Sequence, residues 1–71
     1  MNPLVVRLLT PVIKKDWAIV HGIVKDCYDV TVDEYENFVC YIIANSHKAV
    51  TEDDYVNMID KALKILDKLT K

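Results

Sequence analysis

The segment VTVDEYENFV, residues 30–39, is written again twenty residues later as VTEDDYVNMI, residues 50–59. Val, Thr, Asp, Tyr and Asn are identical between the copies, and Glu34, Phe38 and Val39 keep their chemistry as Asp54, Met58 and Ile59. What repeats is a helix start. Thr31 is placed to accept from the backbone N–H three residues on, while Glu34 reaches back to the N–H of Thr31, the reciprocal pair of a capping box. Val30 and Tyr35 are spaced for the accompanying hydrophobic staple. Thr51, Asp54, Val50 and Tyr55 repeat the scheme, with Asp as a shorter stand-in for Glu. The acids at 33, 34 and 36 and at 52–54 sit where the positive end of a helix dipole favours them. Two copies, with likeness fading after residue 39, are too few for a solenoid, which needs at least about three stacked units.

Apolar spacing extends both starts into helices. Over about 52–70, Tyr55, Ile59, Ala62, Leu66 and Leu69 recur at helical steps, widened by Met58, Leu63 and Ile65. Asp60 with Lys64 and Asp67 with Lys71 stand in the favourable i,i+4 order. Ile13, Trp17, Val20, Val24 and Cys27 trace the same steps over about 11–28. Thr10 followed by Pro11 reads as a cap and first-turn proline, with a kink at Pro11 in a helix begun near Pro3 as the alternative, and Asn2–Pro3 reads as the start of a short helix over 3–9. Gly22, the sole glycine, sits inside the second of these and implies close approach of another helix. The middle helix, about 32–45, contains FVCYIIA, apolar on every side, which implies surrounding protein.

These elements give an all-α fold, a small antiparallel bundle forming one domain over residues 1–71, with short connections at 29–31 and 46–50. Its expected core is Trp17, Val20, Val24, Tyr35, Phe38, Ile42, Ile59, Ala62 and Leu66. A core of this size rarely supplies more than about 3–5 kcal/mol, so a further support is expected. The stripe Tyr35, Phe38 and Ile42 faces the home bundle. The rest of the middle helix, with Val39, Tyr41 and Ile43 as the candidate interface, is then left for a second copy or a different protein.

Other supports find little in the chain. His21, Cys27, Cys40 and His47 match the composition of a structural zinc site but not its close-paired spacing, and His21 and Cys27 fall about 120° apart on a helix. The residues read better as two buried thiols and two partly exposed imidazoles. A Cys27–Cys40 bridge would have to span about two helical turns from the hairpin, too far for disulfide geometry. Ser46 beside His47 lacks the geometry of a nucleophile and base, a single Gly excludes a glycine-rich phosphate loop, and the acids at 52–54 lack the alternation of a calcium loop. A non-enzymatic protein without cofactor or metal is expected.

Charge bears on partners. Net charge is −2, but residues 26–60 carry nine acids against Lys48 alone, flanked by segments of net positive charge. The acids are explained by helix starts, and they repel phosphate, so nucleic acid is disfavoured; Lys14 and Lys15 alone make a weak footprint. A small helical nucleic-acid-binding regulator is the alternative reading. MNPLVVRLLTPVIKK is too short and interrupted to span a bilayer and lacks signal-peptide features, which predicts a cytoplasmic protein without a membrane role. That segment is better suited to packing on the bundle or swapping into a partner. The expectation is a small protein-interaction module, a homo-oligomer of the adaptor, inhibitor or phage and mobile-element accessory type.

Overall fold

The computed structural model describes residues 3–69, all helix and connection, with no strand among them. Four helices follow in order: α1 Pro3–Ile13, α2 Trp17–Cys27, α3 Val32–Ser46 and α4 Glu52–Leu69. The helix end expected at 70 and the pairing of Asp67 with Lys71 lie outside the described residues, as does the side chain of Leu69.

The two repeated starts fold as their sequence requires. At α3, Thr31 Oγ1 accepts from Glu34 N–H at 3.2 Å and Glu34 Oε1 accepts from Thr31 N–H at 2.8 Å. At α4, Thr51 Oγ1 accepts from Asp54 N–H at 3.2 Å, and Asp54 Oδ2 takes two backbone donors, Thr51 N–H at 3.0 Å and Val50 N–H at 2.9 Å. The shorter side chain thus gathers one more donor than Glu34 does. The staples differ: Val30 and Tyr35 are half-buried against the core, whereas Val50 is 86 % exposed and packs on nothing comparable. Lys64 Nζ lies 3.4 Å from Asp60 Oδ2, the expected pair on the outer face of α4.

The N-terminal half departs from the expected single helix over 11–28. Pro11 lies inside α1 instead of opening a helix, and Thr10 is a helical residue instead of a cap. The break falls at 14–16. Lys15 adopts a left-handed conformation at φ 59°, its N–H bonds to the Val12 carbonyl at 3.1 Å, and Asp16 N–H bonds to the Pro11 carbonyl at 2.9 Å. That pattern is a complete Schellman ending, which normally places glycine where Lys15 stands. Apolar spacing alone runs through the break because the register of Ile13, Trp17 and Val20 is unbroken and the break contains neither Gly nor Pro.

Helix α4 is the spine. It packs against both α1 and α3, and α2 packs against α1. Met58, Ile59, Ala62, Leu63 and Leu66 of α4 are buried with Phe38 and Ile42 of α3, Val20 and Val24 of α2, and Val5, Leu8 and Val12 of α1. Seven of the nine expected core residues are therefore buried, while Trp17 and Tyr35 are half-buried at its edge. Two expectations fail. Nothing lies within 4 Å of where a Cβ on Gly22 would stand, because Gly22 is on the solvent side of α2. Cys27 and Cys40 are exposed free thiols instead of buried ones, the first at the end of α2 and the second opposite the buried stripe of α3.

Candidate interaction surface

The face of interest is built on α3, and its placement follows from the two residues that α3 buries. Phe38 and Ile42 are buried and one turn apart, which fixes the inward direction of the helix. At about 100° per residue, Val39 lies roughly 80° to one side of that direction and Tyr41 roughly 80° to the other. Ile43 lies on the side of Val39, one turn on. Among the three residues singled out in the sequence, Val39 and Ile43 therefore share a flank and Tyr41 occupies the opposite one. Val39 and Tyr41 are half-buried against the core, and Ile43 is 53 % exposed.

The Val39 flank opens onto α2. Trp17, Tyr35, Glu36, Val39 and Cys40 line a shallow apolar groove of about 260 Å³. Tyr35 sets its floor. Its hydroxyl donates to the Trp17 carbonyl at 3.1 Å, and its ring lies 4.5 Å from that of His21 and 6.2 Å from that of Phe38. Burial pushes the Tyr35 phenol above its ordinary pKa. Beyond the groove, Ile43 continues the apolar strip toward the C-terminal end of α3, and Val32, 71 % exposed, begins it. Glu36 is the one carboxylate in the groove wall.

The Tyr41 flank is different in kind. Tyr41, Asn45, Lys48, Ala49, Asp54, Asn57, Met58 and Lys61 line a polar groove of about 260 Å³ at the end of the α3–α4 pair where the two helices are joined. Tyr41 and Asn45 there meet residues 54–61, the register of an antiparallel hairpin. Asn45 Nδ2 donates to the Tyr41 carbonyl at 2.7 Å, and the two backbone donors from Val50 and Thr51 hold the Asp54 carboxyl below the usual carboxylate range.

Sequence reasoning placed Trp17 and Tyr35 in the core and so missed them as groove walls. The available signal was their chemistry, since an aromatic with a polar handle favours the margin of a core. His21 and His47 are both exposed, and no group of three His, Cys, Asp or Glu gathers among the described residues. No described helix is long and apolar enough to cross a membrane. Comparison with protein-family models, with curated proteins and with solved structures gives no match.

Proposed function

We propose that this chain is a non-enzymatic, small α-helical protein-interaction module that self-associates and binds or inhibits another protein through the Val39 flank of α3. The observation carrying this reading is the apolar strip Val32, Val39, Cys40 and Ile43 beside the Trp17–Tyr35 groove, with Val32 and Ile43 more than half exposed. Contiguous exposed apolar surface on a small domain marks a contact site, and a two-fold pairing of copies is the commonest closure. Tyr41 lies on the opposite flank of α3, packed against the core, and is left out of this surface.

Sedimentation equilibrium tests the reading. The wild-type chain should associate in the micromolar range, and Ile43→Glu should shift it toward monomer with unchanged helix content by circular dichroism. Tyr41→Glu, on the opposite flank, is the control, expected to cost stability without acting on the Val39 flank. A wild-type chain that sediments as an ideal monomer at high micromolar concentration would overturn the self-association.

A further inference from the structure

We infer that α1 is a hinged arm. Straightening of residues 14–16 joins α1 and α2 into one helix and delivers the buried face of α1 to the α4 of a second copy, giving a domain-swapped dimer. The inference rests on the self-association proposed above and specifies a route to it.

Three observations at the hinge converge. First, Lys15 stands at φ 59°, where a residue with a Cβ is disfavoured by a factor on the order of 5–30 relative to the right-handed region. Second, the start of α2 is poorly capped: Asp16 makes no side-chain bond to the helix it precedes. In a continuous helix the N–H groups of residues 17–19 would find the carbonyls of residues 13–15. Third, the sequence is already written for the straight form. No Gly or Pro lies between Val12 and His21, and Pro11 sits within helix in both forms. Ile13, 44 % exposed in the bent form, would fall on the face of Trp17, Val20 and Val24 if the helix ran on.

Geometry then requires a second copy. A straight helix over residues 3–27 would be about 37 Å long, and the longest extent of the molecule is 31 Å. Straightening therefore carries α1 off its own α4, exposing Val5, Leu8 and Val12 together with the surface of α4 they cover. Another copy opened in the same way offers the complementary surfaces, so every contact of α1 with α4 is recovered between chains. A strained, short connection beside an intact packing surface is the arrangement that favours exchange of an element between copies.

The test varies residue 15, which packs against nothing in the core and can change without unfolding the chain. Lys15→Gly removes the penalty on the bent form and weakens the straight helix, and each dimer contains two hinges. It should raise the dimer dissociation constant at least about tenfold by sedimentation equilibrium. Lys15→Thr, whose branched Cβ tolerates the left-handed region less, should lower that constant. Mixing differently tagged wild-type dimers should give hybrids slowly, since exchange requires α1 to leave α4. A dimer indifferent to Lys15→Gly but dissociated by Ile43→Glu overturns the swap and leaves the α3 contact standing. A dimer dissociated by Lys15→Gly and indifferent to Ile43→Glu supports the swap and removes the α3 strip as the self-contact. Monomer for wild type and Lys15→Thr alike overturns both.

Discussion

The Tyr28 phenol donates a hydrogen bond to the Asp67 carboxylate, fastening the segment that leaves α2 to the last turns of α4. Helix α2 packs chiefly on α1, so this bond and that of Tyr35 to the Trp17 carbonyl tie its two ends to the rest of the bundle.

That link makes stability sensitive to alkali. Burial, then the hydrogen bond to Asp67 and its negative charge, push the Tyr28 phenol from 10.0 up to about 12. A value raised on folding means that the stabilisation is fully present below the unfolded value and is lost as pH rises through the folded one. We therefore expect the urea midpoint to fall between about pH 10 and pH 12. Tyr28→Phe should start lower at neutral pH and show a shallower alkaline decline. Parallel declines in the two proteins would refute the link.

The capping residues give a second expectation. Thr31→Ala should lower stability by about 0.5–2 kcal/mol, since it removes the acceptor for the Glu34 N–H. Thr51→Ala should act in the same direction and no more strongly, because Asp54 continues to hold the N–H groups of Val50 and Thr51. Chemical denaturation of both variants at neutral pH checks the order.

Asp54 adds an acid limb to the same device. Its pKa is depressed by the backbone bonds from Val50 and Thr51, so its stabilisation is present above the unfolded value and disappears as pH falls through the folded one. Asp54→Asn should remove part of the acid sensitivity of the melting temperature. An unchanged acid profile would show that the two backbone bonds do not favour the ionised form.

Gly22 offers a gain in stability. With open space where its Cβ would stand and ordinary helical backbone, it contributes only conformational freedom to the unfolded chain. Gly22→Ala should stabilise by about 0.5–1 kcal/mol, read as a higher melting temperature. A loss of stability would mean that the solvent face of α2 meets something in solution, such as a second copy.

How much of this was legible in the sequence depends on which signals are local. The starts of α3 and α4 were, because a cap is settled by residues three apart, and Thr31 with Glu34 needs no tertiary help to be recognised. The core positions of α2, α3 and α4 followed from period. The break at Lys15 did not, because its left-handed residue is a lysine and the usual glycine is absent, while Pro11 drew attention to the wrong turn of the chain. The buried face of α1 was lost with it. Cys40 misled for another reason: α3 is apolar all round, but only one stripe of it meets α4, and period cannot say which neighbours exist. The grooves depend on two helices each and lie beyond local reading altogether.

The position of α4 at the centre of the bundle also sets an order of assembly. Its partner α3 is joined to it by the short connection 47–51, whereas α1 reaches it only after most of the chain has been laid down between them. Closing the short loop costs less chain entropy, so the α3–α4 hairpin should form the folding nucleus and α1 should dock after the barrier. Ile59→Val should then slow refolding, and Leu8→Ala should chiefly hasten unfolding, in stopped-flow chevrons. The resistance of the native chain to transient opening is accordingly governed by its first helix, and its speed of folding by its last two.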